Sequence, residues 1–221
     1  MLESQGKGGM AVRHGAWSVV TTMLALAVVG CGVPGQTIPL SVNMDAVPAP
    51  AKVTAPLRVA VVPFEDVRSD KAKVGRYQHY VESTVDTLVP ASGSAAGQVT
   101  NFVLEYLKRV GFQVTRVEPG QTVAPGSADV VLSGQLESYW SEAVTRFART
   151  ELTAKNRLVL KAANVGDGSI VRTTVDGEGT RTVVFFDLED LEKLNSEALG
   201  QTLARFLADV VVADRALKPK K

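Results

Sequence analysis

Few side chains in this 221-residue chain have types and spacing that could do chemistry. Cys31 is the only cysteine, and it ends an apolar stretch, Ala16–Cys31 (AWSVVTTMLALAVVGC). A thiol is a strong nucleophile once ionised. With no second cysteine to pair with, its chemistry would be attachment of a group rather than a disulfide. His79 is the one histidine beyond that stretch, with no cysteine partner and no serine in a strained strand-to-helix turn. Neither a nucleophilic triad nor a His-based metal site assembles around it, so it reads as a satisfied or solvent-facing side chain. Glu65, Asp66, Arg68 and Asp70 make a charged corner. Paired carboxylates can do acid–base work, but at a strand end their commoner role is to cap backbone donors and pair with a neighbour. Tyr77, His79 and Tyr80 follow closely, and loops on rigid scaffolds are where binding usually resides. Asp66, Arg68, Asp70, Tyr77 and Tyr80 are therefore the candidate partner surface. The glycine pairs Gly166/Gly168 and Gly177/Gly179 lack the strand–helix context and following lysine of a phosphate-cradling loop, and read as turns or bulges. The residues predict no catalysis, no metal and no cofactor.

The stretch before Cys31 has the parts of a secretory leader: a basic start, a short apolar run and small residues at its end. Lys7, Arg13 and His14 precede the run, and Met10 is an alternative start. About 14 apolar residues fall short of the roughly 20 that span a bilayer, which suits a removable segment. Val28-Val29-Gly30-Cys31 resembles the lipobox of bacterial lipoproteins. That resemblance implies a thioether from the Cys31 thiol to a diacylglycerol, cleavage before Cys31, and acylation of the new amino group. One acyl chain holds a protein only marginally at a membrane, whereas two or more hold it firmly. An Asp after the cysteine implies retention at the inner membrane in the same scheme. Gly32 therefore favours the outer membrane, with the protein lipid-anchored on its periplasmic face.

Removing residues 1–30 leaves 191 residues, enough for one domain with a real core. The leader carries Lys7 and Arg13 against Glu3, a net +1, and the whole chain is also +1, so the remainder is formally neutral. That balance argues against nucleic acid, which is bound chiefly through Lys and Arg at phosphates. Gly32–Pro56 holds five of the ten prolines and reads as a semi-extended tether reaching on the order of 75 Å. Thr37–Val42 within it suits an edge strand, which Pro39 tolerates. The organisation is thus a leader (1–30), an acylated cysteine and tether (31–56), one domain (57–213) and a basic tail (214–221).

The domain begins with a Val-rich strand, Leu57–Phe64 (LRVAVVPF), of the kind buried on both faces. Lys71–Ser94 reads as a long loop with one helical turn or short strand. Ala95–Gly111 is an amphipathic helix, with Val99, Phe102, Val103, Tyr106, Leu107 and Val110 on one face and Gly111 as its stop. Phe112–Val117 makes a second strand. Alternation marks Asp129–Trp140 and Thr150–Asn164 as strands with one wet face. Val165-Gly166-Asp167-Gly168 is a hairpin turn, and the return strand runs from Ser169 to about Val184. Trp140–Phe147 (WSEAVTRF) could dock a partner, and a strand end leading into a hairpin explains it as well. Leu188–Ala213 is helical, with Asn195 or Ser196 capping a second segment. The order predicts an α+β fold: a two-layer domain with a mostly antiparallel sheet and two main helices packed on one face.

TIPLSV before a tether, RVAVVPFEDVRSD, and a helix ending LKRVGFQV together resemble the YajG-type bacterial lipoproteins, over most of residues 36–213. The strand and acidic corner also look like the periplasmic domains of peptidoglycan-synthase activators and curli-secretion lipoproteins. The Lys71–Ser94 insert is longer than the plain pattern. The resemblance implies no enzyme activity and no cofactor. The reading that results is a lipid-anchored binding or assembly module of the cell envelope with a protein partner. The alternative is a periplasmic carrier of a lipid or small apolar ligand, and an envelope hydrolase fits least. Replacing Cys31 with Ala is expected to abolish incorporation of labelled palmitate, and unchanged labelling would overturn the assignment of the anchor.

Overall fold

Alternating and Val-rich runs of this sequence become strands, and its two long periodic runs become helices. The computed structural model describes residues 35–81, 84–118 and 120–220; the expected leader and Cys31 lie outside the described residues. In chain order the elements are Thr37–Leu40 (β1), a 3-10 turn at Met44–Ala46, Arg58–Val61 (β2), Glu65–Asp66 (β3), Gly75–Gln78 (β4), Val85–Pro90 (β5), Ala95–Val110 (α1), Gln113–Arg116 (β6), Val130–Arg146 (β7), Arg149–Asn164 (β8), Ile170–Val183 (β9), Leu188–Ala208 (α2), Val210–Ala213 (β10) and Ala216–Pro219 (β11).

The 17-residue β7 is the centre. On one edge it pairs antiparallel with β8 from Val130↔Asn164 to Arg146↔Arg149, with one register shift between Leu136 and Ser138. β9 continues that antiparallel run beyond β8. On its other edge three short strands lie end to end, all parallel to it: β2 at Val130–Leu132, β3 at Gln135–Leu136 and β4 at Ser141–Val144. β6 pairs parallel beyond β2, β5 antiparallel with β4, and β1 parallel beyond β5. The sheet is therefore mixed: its long pairings are antiparallel as the alternation predicts, but the short strands along the other edge of β7 run parallel to it. The reason is that the chain from β2 to β4 advances in one direction along β7, and β6 reaches β2 only through a crossover containing α1, which parallel pairing requires.

Other boundaries move for similar reasons. The expected Lys71–Ser94 loop contains β4 and β5. Gly75 lets β4 lie against β7, since a Cβ there would run into the Ser141 carbonyl. Part of the expected tether is β1, whose Leu40 is buried. The second helix ends at Ala208 rather than Ala213, because the β-branched run Val210–Val212 disfavours helix and pairs instead with β11. Asp214 and Arg215, at φ 52° and 57°, form the two-residue turn between them. The expected basic tail is thus largely a strand.

Ser94 caps α1 by accepting from the Gly97 amide at 3.1 Å, and Gly111 (φ 105°) ends it. The predicted face, Val99 to Val110, is buried in one core cluster with Leu132, Leu136, Leu158 and Leu160 of the sheet and Leu191, Leu194, Leu199 and Phe206 of α2. Asn195 is not a cap. It is buried inside α2 and donates to the Tyr139 hydroxyl, whose burial pushes it up to about 12. Thr202 donates to Asn156 Oδ1 at 2.6 Å beside it. Gly177 and Gly179 prove to be places where the helix presses on β9. A Cβ on Gly177 would meet the Ala198 carbonyl and Thr202, and one on Gly179 would lie 2.7 Å from Leu194 Cδ1.

Asp129 ties the start of the sheet together. Its carboxylate accepts from the Arg58 amide (2.9 Å), Arg58 Nη2 (2.8 Å) and Arg215 Nη2 (2.7 Å), so it binds β2, β7 and the C-terminal hairpin. The bond from the Arg58 side chain outweighs the opposing effect of burial, and holds the Asp129 carboxyl well below the usual carboxylate range. A carboxyl depressed in the folded state stabilises the fold fully above its unfolded value of about 3.9, and that contribution is lost as pH falls below it. Asp129→Asn is therefore expected to flatten the decline of melting temperature between about pH 5 and pH 3. An acid limb as steep as that of the unsubstituted protein would show that Asp129 does not set it.

Candidate functional site

The charged corner turns inward. Arg68 is only 9% exposed, and its guanidinium donates to both Asp66 oxygens (2.9 and 2.8 Å) and to the carbonyls of Lys73 (2.8 Å), Tyr139 and Lys71 (both 3.3 Å). Burial alone would raise the Asp66 carboxyl, but the bonds from Arg68 prevail and hold it below its ordinary value. Asp70 accepts from the amides of Ala72 and Lys73 at 3.1 and 3.2 Å and shapes the turn. Asp66, Arg68 and Asp70 thus brace the 67–74 loop against β7. Their bonds run to one another and to the protein's own backbone.

Tyr77 and Tyr80 lie elsewhere, at one end of the sheet. Tyr77 is half-buried, stacks on Phe186 with ring centroids 3.9 Å apart, and accepts from the Thr145 hydroxyl at 3.2 Å. His79 lies 4.1 Å from the Tyr77 ring and bonds through Nε2 to Asp86 at 2.8 Å. Asp86 is buried and also accepts from the Gln36 amide. The aromatic cluster is a floor, and His79 is a satisfied part of it.

Above that floor the sheet ends in exposed apolar side chains. The register places the ends of β4, β7 and β9 side by side: Gln78 pairs with Val144, and Thr150 with Val183. The residues just beyond are Tyr80 and Val81, Phe147 at the β7–β8 tip, and Val184 and Phe185 after β9. Val81, Phe147 and Phe185 are 85%, 82% and 82% exposed. With Val85, six of the eleven exposed large hydrophobics among the described residues gather here. Scattered exposed apolar residues need no explanation, but a contiguous group marks a contact site. The rim is mixed in sign: Arg149 and Arg146 face Glu151 at 3.1 and 3.7 Å, and Arg76 pairs with Glu142. Such half-exposed pairs contribute little stability.

Sequence reasoning found Tyr80 and left Phe147 open between a docking site and a hairpin end, but missed Val184 and Phe185. The signal of all three was present in RFAR between two strands and in VVFF, where alternation stops before a helix cap. At the opposite end, a groove of about 650 Å³ lies between the β8–β9 turn and β11, lined by Ile170, Val171, Val211 and Leu217 among others. No helix among the described residues is long and apolar enough to cross a membrane.

No family model and no curated protein matches this sequence. Solved structures do. Protein XCC0632 from Xanthomonas campestris, of family DUF330, is 14% identical with a TM-score of 0.51, over 78% of this chain and 93% of that one. That likeness shows a shared fold. PelC from Paraburkholderia phytofirmans (17% identity, TM-score 0.40, 72% and 92% covered) and the lipoprotein GNA1162 from Neisseria meningitidis (12%, 0.34, 69% and 96%) are more distant in shape.

Removing one partner of a buried ion pair costs about 3–5 kcal/mol, because the other charge is left uncompensated. Arg68→Ala is expected to lose that much in urea unfolding, and Arg68→Lys to recover only part, since lysine lacks the planar fork. A loss under about 1 kcal/mol, the scale of an exposed pair, would show that the corner is not a brace.

Proposed function

We propose that this chain is a non-enzymatic, lipid-anchored protein of the bacterial cell envelope that acts by holding an envelope protein against the apolar end of its sheet. Anchoring rests on the lipobox resemblance at Val28–Cys31, and the outer membrane on Gly32 after it. The likeness of RVAVVPFEDVRSD and LKRVGFQV to the YajG-type lipoproteins supports the envelope setting. An anchor confines the protein to a membrane surface and raises its effective concentration towards a neighbour there.

The observation that carries the contact role is the clustering of Tyr80, Val81, Phe147, Val184 and Phe185 beyond adjacent strand ends. Exposed aromatics inside a polar rim are the makeup of a protein interface core. The rim has carboxylates as well as arginines, which suits a protein better than an anionic membrane, where a basic excess would be favoured. The groove beside Ile170 and Leu217 favours the carrier reading instead, since its walls are apolar and its volume fits a small ligand.

A photo-cross-linking residue at position 147, in the living cell, is expected to give one reproducible protein adduct. The double variant Phe147→Ser with Phe185→Ser, tested with the cross-linker at position 80, should lose it while keeping its far-ultraviolet circular dichroism. Co-purified lipid with no protein adduct would overturn the contact role in favour of the carrier.

A further inference from the structure

The solvent face of β8 and β9 carries five cations, and three of them have carboxylate partners. Arg149 pairs with Glu151, Lys155 with Glu178, and Arg157 with Glu137 and Asp176. The Lys161 and Arg172 side chains have no ion pair or hydrogen bond among the described residues. They are also directly opposite each other in the β8–β9 register. Like charges facing across an antiparallel pair repel, and the cost is of the same size as the gain from an opposite pair. On a face where the Lys155–Glu178 and Arg157–Asp176 rows are neutralised, that one row is not.

The third member of the row is Ser133 of β7, paired with Lys161 on its other side. Its hydroxyl makes no hydrogen bond within the described residues. The three donors border one cleft of about 400 Å³, walled by Pro63 and Val159 and bounded by Glu65 and Gln135. Gln135 donates to Glu65 Oε2 at 2.9 Å, and Glu65 makes no ion pair with either cation among the described residues.

We infer that this cleft binds a phosphate group carried on a small polar molecule. The Arg172 guanidinium offers a planar fork that matches two phosphate oxygens, the Lys161 ammonium a compact point charge, and Ser133 a neutral donor. Bound phosphate replaces the missing carboxylate and turns the repulsion between the two cations into a shared attraction. Glu65 and Gln135 accept from hydroxyl or amine groups next to the phosphate, so a polyol or amino-alcohol phosphate fits better than the bare ion. The cleft volume is within the range of small-molecule sites. This site lies on the strand faces, apart from the apolar end, and its assignment is independent of the proposed protein contact.

Two sources share that chemistry: a free phosphate ester and a lipid headgroup. Calorimetric titration of the purified full chain with glycerol 3-phosphate and, separately, with soluble dihexanoyl phosphatidylglycerol distinguishes them. Equal affinity for both assigns the site to the ester, and binding of the lipid alone assigns it to a headgroup with its chains attached. In either case Lys161→Gln with Arg172→Gln should weaken binding at least tenfold. Arg172→Glu, which supplies the missing carboxylate, should raise the melting temperature of the unliganded protein and abolish binding. Absence of binding by both probes, or binding that survives the double substitution unchanged, overturns the assignment.

Discussion

The pairing of β7 along both edges is the constraint on which the rest of the fold depends. Its 17 residues reach across the whole sheet. Three separate strands, β2, β3 and β4, are stationed along one edge, and β8 is matched to the other almost from end to end. Because each strand is fixed in register to the same neighbour, a slip anywhere would turn buried side chains outward. The close approaches confirm how tight the arrangement is. Gly134 of β7 lies under the Phe64 ring, where a Cβ would stand 2.6 Å from Cε2, and the Phe64 amide donates to Thr100 of α1 at 2.9 Å.

Polar side chains hold what the strands alone would not. Asp129 gathers Arg58 and Arg215 at the start of β7. Arg68 pins the 67–74 loop to the carbonyl of Tyr139 midway along it. Asn195 meets the Tyr139 hydroxyl from α2. Buried groups of this kind cost free energy unless paired, and here their partners come from distant parts of the chain. The sheet is left with two contrasting regions for function. Its far end shows aromatic residues past the last paired rows, and its open face carries the unneutralised row of Ser133, Lys161 and Arg172.

Much of the local structure was legible in the residues. The buried face of α1, its Gly111 stop, the alternation of β8 and the Asp167–Gly168 turn follow from spacing and backbone preference. The strands inside Lys71–Ser94 were not legible, because β4 is polar and short and exists through its pairing with β7 and β5. The C-terminal hairpin was hidden behind a helical stripe that continues through Val210 and Val211. Of the candidate surface, Tyr77 and Tyr80 lie at the apolar end of the sheet, whereas Asp66, Arg68 and Asp70 make internal bonds.

The sequence by itself determined the apolar stretch that ends at the lone thiol of Cys31, the near balance of charge and the identity of the main helices and strands. These depend on composition and on neighbours a few residues away. Only the tertiary structure decided that the sheet is mixed, that Gly177 and Gly179 serve helix packing, that Arg68 is buried, and that Phe147, Phe185 and Tyr80 share one end. Those facts arise from contacts between residues tens of positions apart. Periodicity records which face of an element is apolar, but it carries no information about which element will cover it.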